Sequence, residues 1–163
     1  MLITDYTTYD DIRATLGVSA EELEDVTIAL QLYLDMLTVE LEDIDATLPA
    51  TYATKDLLVS PTAPEVRFLA ASRLFATYAV AKHLTGSLPL FSPKDVSDGK
   101  ALTGRYSMDP YKPVISAVNQ QYDRFQKRLQ EAWATMNATT ATVAAAKSYF
   151  SIVVPSTDPV TGV

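Results

Sequence analysis

Between residues 23 and 48, apolar side chains recur at Leu23, Val26, Leu30, Tyr33, Leu37, Leu41, Ile44 and Leu48, always three or four positions apart. That spacing keeps them on one face of an α-helix. It predicts a helix over 20–47, opened by Ser19 and Glu22 as a capping box and ended by Pro49, which cannot continue a helix. A second apolar set, Ile28, Leu32, Met36 and Val39, runs beside the first, so burial on more than one side is expected. At about 1.5 Å per residue the helix would be roughly 40 Å long, against a radius of gyration of about 15 Å for a compact domain of this size. The pattern therefore predicts an elongated helical bundle of four to five helices, mainly α in class.

Three further segments carry the helical period. A short helix over 9–16 has Thr8 to cap it, Asp11 three residues on, and Gly17 as its stop. Residues 49–61 read as a connection, with one short turn at "KDLLV". The helix over 63–85 opens with Thr62 and Glu65 as a capping box and Pro64 in its first turn, where a missing N–H costs little. Its alanines, Ala70, Ala71, Ala76, Ala79 and Ala81, permit close approach of a neighbour, and it lacks a wholly polar face, so it should be the most buried element. The helix over 111–136 opens near Asp109 and Pro110 and carries Val114, Val118, Tyr122, Phe125, Leu129, Ala132, Trp133 and Met136 in register. After it, "TMNATTATVAAAKSYF" mixes alanines with threonines and allows a break or a fifth helix. Leu30, Tyr33, Leu37, Phe75, Tyr78, Phe125 and Trp133 are expected in the core.

Two segments fall outside the helical period. Residues 86–113, "GSLPLFSPKDVSDGKALTGRYSMDPYKP", hold three of five glycines and four of nine prolines, and exceed the roughly 2–8 residues that usually join helices in a bundle. "LPLF" is an extended apolar piece, and Asp98–Gly99 is a tight-hairpin signal. Lys94, Lys100, Arg105 and Tyr106 make the hairpin basic and partly aromatic. It reads either as an arm that reaches a neighbour, spanning 86–109, or as an inert loop over its own helix ends. The C-terminal segment 148–163 has β-prone Tyr149, Phe150, Ile152, Val153 and Val154 before Pro155. A lone strand needs an edge to pair with, so it is either an arm that adds to a partner or a tail lying on its own bundle. One helical domain over 1–147 with an extended arm after it is the expected organisation.

Charge sharpens the picture. Residues 1–60 hold thirteen acids and two bases, and residues 61–163 hold seven acids and eleven bases, within a net charge of −7. Either an acidic part packs against a basic part within one molecule, or an acidic face of one subunit meets a basic face of the next, which is how a head-to-tail ring is built. The acidic balance disfavours nucleic-acid readout. No cysteine is present, which excludes disulfides and thiolate metal sites. The N-terminus lacks the basic and apolar regions of a signal peptide, and charge interrupts every apolar run too often for a membrane span.

Candidate chemistry is sparse, and no catalytic, cofactor-binding or metal-ligating residue is expected. The single histidine, His83, sits where a helix C-terminus favours a cation and has no companions for a zinc site. No phosphate loop, dinucleotide fingerprint, nucleophile elbow or calcium loop is present. The carboxylates of 21–25 and 40–45 come in runs, as on a solvated face, whereas acid–base catalysis needs two in unlike environments.

Four stretches, "YTTYDDIRATLGVSAEELE", "EVRFLAASRLFATYAVAKHL", "FSPKDVSDGKALTGRYS" and "PVISAVNQQYDRFQKRLQEAW", follow in this order over roughly residues 6–135. In texture and order the chain resembles the head–tail connector (adaptor) proteins of tailed bacteriophages. The resemblance implies a structural virion protein, assembled in the host cytoplasm, that forms a ring, commonly of twelve, beneath the portal and continues the DNA channel toward the tail. It implies as partners the chain itself, the portal, the next tail component, and double-stranded DNA that passes without specific binding. An acidic protein suits a conduit in which DNA must slide without sticking. Two other classes remain open: an intracellular helical binding or scaffold module, and a cell-wall-degrading tail accessory factor.

Overall fold

The computed structural model describes residues 2–88, the strands at 95–97 and 102–104, and a helix over 111–150 with its side chains as far as 138. The molecule is mainly α-helical. Its helices are α1 (Tyr9–Leu16), α2 (Asp25–Ile28), α3 (Gln31–Glu42), α4 (Leu48–Asp56), α5 (Ala63–Leu84) and α6 (Tyr111–Phe150), with short 3₁₀ turns at Ile3–Asp5 and Thr85–Ser87.

The ends of α1 and α5 follow from their sequences. Thr8 accepts a hydrogen bond from the Asp11 backbone N–H, and Gly17 closes α1 in the left-handed region at φ 69°, which only glycine adopts without penalty. At the start of α5, Glu65 accepts from the Thr62 backbone N–H at 2.7 Å and from its hydroxyl at 2.8 Å.

The single helix expected over 20–47 is not formed; α2, α3 and the turns around them take its place. Ser19 and Glu22 do make both bonds of a capping box, yet the chain turns extended at Glu24, and again at Leu30. A buried side chain accounts for the first break. Arg13 is largely buried and spends its donors on the Leu23 carbonyl (2.8 Å), on Asp10 (2.8 Å) and on Asp25. The Leu23 carbonyl is thereby diverted from the helical ladder, since a buried guanidinium must be satisfied. The β-branched run Val26, Thr27 and Ile28 adds little helix propensity to oppose it.

The two breaks also change which residues face inward. Leu23, Ile28, Leu37 and Leu41 are fully buried, whereas Val26 and Leu30, expected inside, are exposed. The other end of the expected helix differs as well. Asp45 accepts from the Thr47 backbone N–H and hydroxyl, a local turn that competes with helix. Pro49 then lies in the first turn of α4 and opens that helix instead of ending one.

The core is centred on α5, which carries ten buried residues. Phe68 meets Trp133 at one end and Lys82 meets Tyr122 at the other, so α5 and α6 run antiparallel. Phe75 packs on Tyr122 (5.4 Å between ring centroids) and Tyr78 stacks on Phe125 (5.2 Å). From the N-terminus, Tyr6 stacks on Tyr52 at 4.3 Å, and Tyr52 meets Phe68 edge-on. A chain of rings thus ties the first turn, α4, α5 and α6 into one core. Of the residues expected there, Leu37, Phe75 and Phe125 are buried and Tyr33, Tyr78 and Trp133 partly so. The longest element is α6, whose 40 residues span roughly 60 Å; the alanines at 144–146 favour helix through the threonine-rich stretch.

Candidate functional site

The hairpin expected in the long connection is present as two antiparallel strands, β1 (Asp95–Ser97) and β2 (Leu102–Gly104). Its register corrects the turn. Ser97 pairs with Leu102, so four residues connect the strands, whereas a two-residue turn at Asp98–Gly99 would pair Ser97 with Lys100. Lys94, Asp98, Gly99, Lys100, Arg105 and Tyr106 lie outside the described residues. In the C-terminal candidate, Tyr149 and Phe150 are the last residues of α6, not the start of an extended arm, because the helix propagates through the alanines before them. Ile152, Val153 and Val154 lie outside the described residues.

Among the described residues the side chains build two surfaces of opposite character. On α3, Leu37 and Leu41 point into the core, which leaves Leu32, Asp35, Val39 and Glu42 facing out. Leu32 and Val39 are 55% and 56% exposed, and Asp43, next to Glu42, continues the acidic face on an exposed position. The second surface lies between α5 and α6. Ala70, Leu74, Phe125 and Ala132 line a groove of about 350 Å³ with Arg67 and Arg128 beside them. The small alanines on both helices leave this space open. Arg124 and Lys127 are exposed further along α6, and Arg128 lies over the Phe125 ring. Among the described residues none of these four cations forms an ion pair.

A third feature is an open groove of about 1060 Å³ between the N-terminal turn, α1, α4 and α5. Its floor is a hydrogen-bonded relay: Arg73 donates to the Tyr52 hydroxyl (3.2 Å), Tyr52 donates to the Asp5 carbonyl (3.1 Å), and Arg73 also pairs with Asp56 at 2.7 Å. Burial raises the Tyr52 phenol above its usual range, so it remains a neutral donor. These partners are spent on one another, which is the arrangement of a structural tie. The chain leaves α4 through Leu57, Leu58 and Val59, all three exposed, Val59 almost completely.

His83 has a different neighbour from the terminal carbonyls expected of it. Its Nε2 lies 3.0 Å from Oε1 of Glu40 on α3, with Lys82 Nζ 4.0 Å from the same oxygen. Lys82 also sits over the Tyr122 ring at 3.6 Å. Burial first, and then the adjacent Glu40 carboxylate, pushes the Tyr122 phenol up to about 12. The cluster joins α3, α5 and α6 through one carboxylate. Glu40, His83 and Tyr122 fall on three separate predicted helices, and nothing within any one segment marks them as partners.

No group of three or more histidine, cysteine or acidic side chains that could hold a metal ion occurs among the described residues. Among them, no helix is long and apolar enough to cross a membrane. Compared with known proteins, the chain matches no family model, no curated protein and no solved structure.

Proposed function

We propose that this chain is a structural ring subunit, a head–tail connector that joins the portal to the tail of a virion and continues the DNA channel. The observation that carries this reading is the pair of unlike surfaces: an apolar and acidic face on α3, and an apolar groove between α5 and α6 flanked by cations that form no ion pair among the described residues. Exposed apolar patches rimmed by charge mark contact surfaces. Two such patches of opposite charge on one subunit suit head-to-tail contacts, which close into rings. The segment resemblance over roughly residues 6–135 supplies the rest of the proposal: the portal and the next tail component as partners, and duplex DNA passing an acidic ring without being held.

Residues 95–104, whose two ends pair as antiparallel strands, serve in this reading as an arm toward a neighbouring chain. Electron microscopy of the purified protein, alone and with its portal, tests the proposal. Rings that dock on the portal are expected. A protein that stays monomeric or dimeric by size exclusion with light scattering, and that ignores the portal, would instead be a helical binding or scaffold module.

A further inference from the structure

We propose that two copies of this chain meet through unlike faces, with the outer face of α3 on one copy seated in the α5–α6 groove of the next. The inference rests on the ring reading and names the contact within it. On the donor side, Leu32 and Val39 are seven residues apart, two helical turns, and so project together. Asp35 lies between them and Glu42 beyond, and although Asp35 accepts a bond from Gln31 at 2.8 Å it remains exposed. An α-helical ridge with apolar residues one turn either side of a carboxylate needs an apolar slot flanked by cations.

The acceptor side supplies that slot. Ala70, Leu74 and Phe125 line it, Leu74 is 43% exposed, and Arg67 and Arg128 stand beside it. Glu131 is the one acid among its lining residues.

The two surfaces cannot meet within one copy. His83 faces Glu40 of α3, and Leu74 precedes it by nine residues, two and a half turns at about 3.6 residues per turn. Leu74 and the groove therefore open on the side of α5 turned away from α3. A subunit with complementary faces on opposite sides makes heterologous contacts, which propagate around a ring or along a filament. Opposite charges also steer the encounter and disfavour like faces meeting.

The chain has no cysteine of its own, so introduced thiols report this contact cleanly. Val39→Cys and Leu74→Cys are prepared in separate full-length chains, mixed, and oxidised; both sites are exposed, so neither change threatens the fold. A disulfide requires Cα atoms within about 7 Å. The expected result is a covalent pair in the mixture and none in either chain alone. In parallel, Asp35→Lys or Arg128→Glu alone should lower the association constant by roughly tenfold or more, and the two reversals on facing surfaces should restore most of it. Cross-links between like cysteines, or assembly by light scattering that neither reversal weakens, would overturn the α3-to-groove contact while the ring reading stands. Monomers at every concentration would overturn both.

Discussion

Phe75 and Leu74 are neighbours on α5 about 100° apart around the helix, and the structure assigns them opposite fates. Phe75 is fully buried with its ring 5.4 Å from that of Tyr122. Leu74 is 43% exposed beside the α5–α6 groove. Truncating Phe75 to alanine removes a buried ring from the interface between the two longest helices, at a cost of about 3–5 kcal/mol including the cavity left behind. A domain of this size has a total stability of roughly 5–15 kcal/mol and loses about 2–4 °C of Tm per kcal/mol, so the variant should melt roughly 6–20 °C lower. Leu74→Ala exposes no cavity and withdraws only part of a side chain from its neighbours, so about 1 kcal/mol is expected. Urea denaturation at a protein concentration low enough to prevent association measures both, and an unchanged slope with denaturant shows that stability alone has moved. If the two variants lose equal stability, or Phe75→Ala loses less than about 1.5 kcal/mol, then α5 does not present these two faces. The groove argument would fall with the core argument.

Assembly should weaken as salt rises, because exposed opposite charges are screened beyond about 10 Å at roughly 0.1 M; sedimentation across a salt series that shows constant assembly would refute a charged contact. The Glu65 carboxyl is held down to about 2, chiefly by Lys55 and then by the Thr62 N–H. Its folded value lies below its unfolded one, so its contribution to stability is present above about pH 4.5 and is lost as pH falls from there toward 2. The stability gap between the protein and Glu65→Gln should therefore shrink on acidification, and a gap that widens would contradict the assignment. Deleting residues 95–104 should leave the melting temperature of the helices nearly unchanged but impair ring formation, as seen by electron microscopy; a deletion that unfolds the protein, or one that leaves assembly intact, would remove the arm reading.

Thr8, Gly17, Thr62 and Glu65 set helix ends through contacts within a few residues, so they are visible in a local window. The helices at 9–16 and 63–85 are legible from their caps and helical period, and α6 from an apolar face that runs only as far as Met136, short of its end at Phe150. Residues 20–47 carry such a face as well and still break. The deciding group, Arg13, lies ten residues before the carbonyl it captures, and no period within 20–47 contains it. The β-branched run at 26–28 and the acids at 42–45, unfavourable at a helix C-terminus, were the only local hints. The hairpin strands were legible from Asp98–Gly99, but their register was not, because register depends on pairing across the strands. The groove was invisible for the same reason: Ala70, Leu74 and Phe125 become a surface only once α5 and α6 are antiparallel.

The break at Leu23 also bears on how the acidic half is presented. In an unbroken helix over 20–47, the acids at 21–25 and 40–45 would lie along one straight rod, and Ile28 would share its side with Leu32 and Val39. Arg13 instead anchors Asp25 beside α1, the chain re-enters helix at Gln31, and Ile28 goes into the core while Leu32 and Val39 stay outside. The turn at Leu30, between α2 and α3, thus parts Ile28 from Leu32 and Val39 and leaves the latter two on an exposed face with Asp35 and Glu42. A buried arginine whose partner carboxylates are themselves largely exposed adds modest stability for the desolvation it costs. Its larger effect is to end the capped turn at Leu23 and set where α2 begins, while the second turn, at Leu30, sets the phase of α3 and with it the face that a second copy would meet.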